Sequence, residues 1–239
     1  METLIPEPTI IYLPSLATKG RSKKRFMKSA EDLGKLGIHA KIVDCDYPSH
    51  KGQLITGFEE DLKSIDLLVR KLEGESIPRS QIGFMGACYG AYLTLRYMQS
   101  HQDIPFVILA EPYFGSESVY PAYRIIERML RKVRLRTVLP LGKREGIKKS
   151  IDVSSLADFT SESINMPHNQ IPAFAFVTNY HHFFNRELIK RKLAESNIEY
   201  SILDVTKPEE EQRQDFSRRA YSFLIRQQPW VQREAIAQN

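Results

Sequence analysis

The chain predicts an α/β fold: a mostly parallel sheet of about six strands with helices on both faces and one helical insertion. Three observations carry this expectation. Short apolar, β-branched runs alternate with stretches of helical period along most of the sequence. The runs are apolar at nearly every position, as strands buried on both faces require. One of them, residues 82–87, passes without a linker into a helical pattern at Gly86-Ala87-Cys88-Tyr89-Gly90.

Residues 9–13 (Thr-Ile-Ile-Tyr-Leu) stop at Pro14 and read as a central strand. Ser22 stands where an N-cap would open the next helix. Phe26, Ala30, Leu33 and Leu36 share one face of that helix, and Gly37 ends it. Residues 38–43 read as a second strand, with Cys45 beyond it as a small buried hydrophobe. Phe58, Leu62, Ile65, Leu68, Val69 and Leu72 form a helical stripe, and Pro78 breaks the chain before the run at 82–87. A helix over 89–99 and a strand at 106–109 follow, the strand ending at Glu111-Pro112.

Residues 112–171 leave the alternation. They carry a basic amphipathic helix with Ile125, Met129, Leu130 and Val133 on one side, then a mixed segment. Alternation resumes with a strand at 172–178, a helix at 186–196 and a last strand at 198–205. Phe216, Ala220, Phe223 and Leu224 mark a final helix, stopped at Pro229.

At 239 residues and 42% hydrophobic, the chain buries a full core as a single domain over 1–239. No charged segment precedes an apolar run at the start, so a signal peptide is not expected. No run approaches the roughly 18 apolar residues that span a bilayer. Two cysteines make no disulfide framework and lack metal-ligand spacing, so neither metal nor other cofactor is expected and a reducing, cytoplasmic setting fits. Net charge is +5, and 124–149 holds ten lysines and arginines against Glu127 and Glu145. Such a stretch suits an anionic ligand or carrier, or a solvated helix face. No recognised module supports specific nucleic-acid binding.

The chemistry centres on Cys88. A sharp strand-to-helix turn lifts the central side chain clear of the sheet, and Gly86 and Gly90 leave room where a Cβ would collide. The helix N-terminus favours negative charge, which predicts a lowered thiol pKa and support for an oxyanion. Small-x-nucleophile-x-small in this context resembles the nucleophile elbow of the α/β-hydrolase superfamily, with the Cys-centred form of the dienelactone hydrolases. A second resemblance is Asp46-Tyr47-Pro48-Ser49-His50-Lys51, similar to the Asp-x-Pro-Gly-His-Gly stretch of many members, in which His50 would be structural.

The resemblance implies an acyl-enzyme at Cys88 and oxyanion donors from the backbone of Tyr89 and of Ser15 or Leu16. It implies a lid formed by 112–171. It also implies an acid after the strand ending at Thr178 and a histidine after the strand ending at Val205, and the sequence departs from both. Asn179, His181 and His182 follow Thr178 without a carboxylate, and no histidine occurs from Phe183 to Asn239. Three alternatives stay open. His181 or His182 serves as base, oriented by Glu111 or by a carboxylate of Glu209, Glu210 or Glu211. Cys88 acts as a thiolate without a histidine. Or the site is inactive and the chain is a binding protein that uses its pocket or basic insertion. The first two predict hydrolysis or acyl transfer from an ester, thioester or lactone, a small-molecule substrate with an apolar acyl part under the lid.

Overall fold

A computed structural model describes residues 7–15, 19–48, 54–55, 58–115, 125, 129, 138–144, 147–152, 164–166, 169–179 and 185–227. The elements are β1 (Thr9–Leu13), α1 (Lys19–Lys35), β2 (Lys41–Asp44), β3 (Leu54–Ile55), α2 (Glu59–Gly74), β4 (Ile82–Ala87), α3 (Tyr89–Ser100) and β5 (Val107–Ala110). They continue with β6 (Val138–Arg144), β7 (Ile147–Asp152), β8 (Ala173–Thr178), α4 (Arg186–Glu195), β9 (Glu199–Leu203) and α5 (Glu209–Gln227). Six strands form one sheet in the order β2-β1-β4-β5-β8-β9, and every neighbouring pair is parallel.

The period of two along each central strand sorts the core into two layers. Ile11 and Leu13 of β1, Phe84 of β4, Leu109 of β5 and Val177 of β8 face the layer that holds Ile65 of α2, Leu93 of α3 and Leu193 of α4. Their strand neighbours Ile10, Tyr12, Met85, Ile108, Phe174 and Phe176 face Leu33 of α1 and Phe216, Ala220 and Phe223 of α5. Both faces are therefore covered, which is why these strands read as continuous apolar runs. The outermost strand β9 differs, with Tyr200 and Ile202 turned to solvent.

Two boundaries fall elsewhere than the sequence suggests. Helix α1 starts at Lys19, so Ser22 lies inside it instead of capping it. Gly37 does end this helix, at φ +95°, and the Ile38 N–H returns to the Leu33 carbonyl at 3.0 Å. Closing the helix takes Ile38 out of the strand, which begins at Lys41.

Within 112–171, Ile125 and Met129 are helical. The insertion also carries the antiparallel hairpin β6–β7, which pairs with β3 as a separate three-stranded sheet. The sequence reading did not anticipate these strands, because Lys and Gly interrupt their apolar pattern. No described helix is long and apolar enough to cross a membrane.

Candidate active site

Strand β4 ends at Ala87 and α3 begins at Tyr89, so the whole change of direction falls on Cys88. Its φ of 53° and ψ of −109° lie in a region that a side-chain-bearing residue enters at a cost of about 1–3 kcal/mol. The surroundings over-determine it. The Cys88 N–H donates to the Ala110 carbonyl at 2.8 Å, and its own carbonyl accepts from the Tyr92 N–H at 3.0 Å. A Cβ on Gly86 would meet the Gly90 carbonyl oxygen at 2.5 Å, and one on Gly90 would meet the Leu13 carbonyl oxygen at 2.0 Å. Those obstacles are backbone and cannot swing aside. The glycines let β1, β4 and α3 approach closely enough to form the turn at all.

Cys88 opens onto a cavity of about 420 Å³ at the C-terminal edge of the sheet, shared with Ser15, Glu111 and Thr178. Burial pushes the Cys88 thiol up, so the resting group is a thiol, not the thiolate expected from a helix N-terminus alone. The Ser15 hydroxyl bonded to the sulfur pulls the other way, the nearby Glu111 charge adds to the rise, and the Tyr89 N–H offsets part of it. Desolvation outweighs the helix terminus here. Cys45, by contrast, is 1% exposed within the first core layer, as expected, and neither cysteine forms a disulfide.

Glu111 follows β5 with φ 54°, and its N–H donates to the Phe176 carbonyl at 2.8 Å. Its carboxylate accepts the Thr178 N–H at 2.7 Å and the Thr178 hydroxyl. Burial raises its pKa, while the two Thr178 bonds hold it down. Glu111 is thus fixed beside Cys88 on the neighbouring strand end. Glu209, Glu210 and Glu211 form the first turn of α5 instead of a loop, and Glu209 lines the cavity. His181, His182, Leu16 and His50 lie outside the described residues.

At the positions where an acid and a histidine are expected, the structure holds a different arrangement. Thr178 of β8 pairs in register with Leu203 of β9, which places Asn179 and Asp204 one residue beyond each strand end. The Asn179 side-chain amide donates to Asp204 at 2.7 Å and accepts the Val205 N–H at 3.1 Å. Asp204 also accepts the Thr206 N–H and hydroxyl, and these bonds, with Asn179, hold its carboxyl below the usual carboxylate range.

A second group stands behind the elbow, and the sequence reading missed it. Asp61 of α2 is fully buried and accepts the Tyr89 hydroxyl at 2.7 Å. The Tyr47 hydroxyl donates to the Pro14 carbonyl, next to Ser15, and its ring lies 5.8 Å from that of Tyr89. The residue after the nucleophile and the loop after β1 are therefore braced against one aromatic cluster. A signal existed, since Asp61 interrupts the apolar stripe between Phe58 and Ile65. A larger hollow of about 640 Å³ lies at the opposite end of β8 and β9, between Asn169, Tyr200 and Gln227, and no cysteine or histidine lines it among the described residues.

The sequence matches no family model and no curated protein. The fold has counterparts among solved structures. The α/β hydrolase GrgF from Penicillium sp. sh18 aligns with a TM-score of 0.65 over 92% of this chain and 90% of its own, at 14% identity. An esterase domain from a Rhodothermus marinus protein gives 0.62 over 93% of this chain and 89% of its own, at 14% identity. The thioesterase domain from the curacin biosynthetic pathway gives 0.55 over 92% and 91%, at 12% identity. The chain has the α/β-hydrolase fold.

Proposed function

We propose that the protein hydrolyses or transfers an acyl group from an ester, thioester or lactone through a thioester on Cys88. The observation that supports this most is the elbow. A cysteine sits in a strained conformation at the mouth of a cavity, held there by backbone that tolerates no Cβ on either flank. Structural counterparts named esterase and thioesterase point the same way. Strain of this kind in a structural cysteine would persist only with a compensating use.

The thiol must first lose its proton, because burial keeps it protonated. His181 or His182, in the segment leaving β8, takes it, and Glu111 orients the imidazole. The sulfur then attacks the carbonyl carbon, and the carbonyl π pair moves onto oxygen. The N–H groups of Tyr89 and of Ser15 or Leu16 receive that oxyanion. Collapse expels the alcohol or thiol, which takes the proton from the histidine. Water, or an acceptor nucleophile, attacks the thioester in the second half and returns the thiol. Residues 112–171 cover the site as a lid, and the basic stretch 124–149 suits an anionic carrier as acyl donor.

Intact-mass analysis after mixing with activated esters and acyl thioesters tests this. The expected result is an acyl adduct on Cys88 in the wild type, slower adduct formation in a His181→Ala/His182→Ala double variant, and none in Cys88→Ala. No adduct and no turnover across the panel would favour a binding protein that has kept the fold.

A further inference from the structure

The cavity at Cys88 says more about its occupant than the elbow does. It runs along the second face of the sheet, over Tyr12 of β1, Met85 of β4 and Phe176 of β8, and Phe216 of α5 closes it. Phe216 lies with its ring centroid 4.2 Å from that of Phe176. Leu203 and Val205 flank it at the end of β9. None of the described lining residues comes from 112–171.

Most polar groups gather in two places: Ser15, Glu111 and Thr178 stand with the nucleophile, and Glu209, Gln212 and Arg213 belong to the start of α5, while Tyr12 of β1 and Ser29 of α1 also line the space. Arg213 is already engaged by Asp32 of α1 and, at 3.6 Å, by Glu210. Met85, Phe176, Leu203, Val205 and Phe216 offer no side-chain partner to a hydrated group, which would lose its water shell against them without replacement. An apolar chain gains from the same residues. At about 420 Å³ the space falls within the 300–1,000 Å³ range of small-molecule sites.

We propose that this cavity binds the acyl chain of the substrate, and that the chain is an apolar hydrocarbon lying between the second face of the sheet and α5. The inference rests on Cys88 being the acyl acceptor, and it moves the apolar half of the substrate from the insertion to the body of the domain. Chain length is then limited by Leu203, Val205 and Phe216, three apolar residues of the same lining.

Alkylation of Cys88 by N-alkyl iodoacetamides of increasing chain length tests this without requiring turnover. Rates are read by peptide mass spectrometry on the full chain and divided by the rate of each reagent with glutathione. The corrected rate should rise about three- to fourfold per added methylene, then fall once the cavity is full. Val205→Trp, at a position 39% exposed and so tolerant of bulk, should shorten the length at which the rise stops. Leu203→Ala should lengthen it. A corrected rate independent of chain length, or no labelling at any length, overturns the proposal. So does a length profile that neither variant moves. A length-dependent profile without any acyl adduct from activated esters would keep the apolar site and remove the catalytic reading, so the two fail separately.

Discussion

Two parts of one rim of the sheet have kept different things. At the end of β4 the backbone does what an acyl-transfer site needs: it carries a cysteine through a positive φ, at the mouth of a cavity, beside backbone N–H groups. At the ends of β8 and β9, where the acid and base of such a site are expected, Asn179 and Asp204 bond to each other and to Val205 and Thr206. The first region holds strain against its own preference, and the second satisfies its polar groups locally. Strained features need a reason to persist, whereas satisfied ones stabilise themselves. The strained, cavity-facing residues thus gather at the ends of β4 and β5, with Cys88 and Glu111, and the locally satisfied pair at the ends of β8 and β9.

The sharpest way to break that contrast is to remove the space on which the elbow depends. Gly90→Ala places a Cβ against the Leu13 carbonyl, which belongs to the backbone of β1. The expected loss is ~3 kcal/mol or more, read from urea unfolding, because neither strand nor helix can shift alone. Retention of wild-type stability would show that the elbow is looser than its geometry implies.

Next in size is the strain itself. Cys88→Ala keeps a Cβ in the unfavourable region, and Cys88→Gly does not. The glycine variant should be the more stable of the two by about 1 kcal/mol, after the added freedom of the unfolded chain is offset. Both should lose acyl-adduct formation. A glycine variant less stable than the alanine one would mean that Cys88 carries no strain, and the main argument for a kept function would fall.

The clasp at the other strand ends should respond more gently. Asn179→Ala removes the amide that bridges Asp204 and Val205, and a drop of about 2–4 °C in Tm is expected near neutral pH. Asp204 titrates below its usual range, so its contribution is present above its unfolded pKa and is lost as pH falls through the lower folded value. The difference between variant and wild type should therefore shrink in acid. A difference that stays constant with pH would detach Asn179 from Asp204.

How much of this was legible in the chain follows the same division. The strands and their burial on both faces could be read because apolar runs such as Thr9–Leu13 and Ala173–Thr178 show their environment in their composition. The elbow could be read because steric demand is local: Gly86 and Gly90 lie within four residues of each other, on either side of the nucleophile. The clasp could not, since Asn179 and Asp204 meet only through the parallel register of β8 with β9. The thiol pKa was misjudged for a related reason. A helix N-terminus is visible in sequence, while the burial that outweighs it, and the Glu111 charge that adds to it, come from separate parts of the chain.

The smallest expected effects lie in the coupling between Cys88 and its neighbours. Wild-type alkylation by iodoacetamide should rise with pH through a midpoint above the ordinary thiol value of about 8.5. Glu111→Gln removes the charge that helps to raise it, so the midpoint should fall and the rate at fixed neutral pH should increase. Ser15→Ala removes a hydrogen bond to the sulfur, and the midpoint should move up. Opposite shifts would show that both residues act on the thiol, and equal profiles would uncouple them from it. Glu111 itself adds a stability signature. Burial raises its folded pKa, so the stability it contributes is complete below its unfolded value near 4.3 and is lost as pH rises through the higher folded value. Glutamine stays neutral and still accepts from the Thr178 N–H. Urea midpoints of Glu111→Gln should therefore gain on wild type as pH rises above about 4. If the gain is absent while the thiol midpoint still falls, Glu111 is charged at little cost in the fold and acts on Cys88 by its field alone.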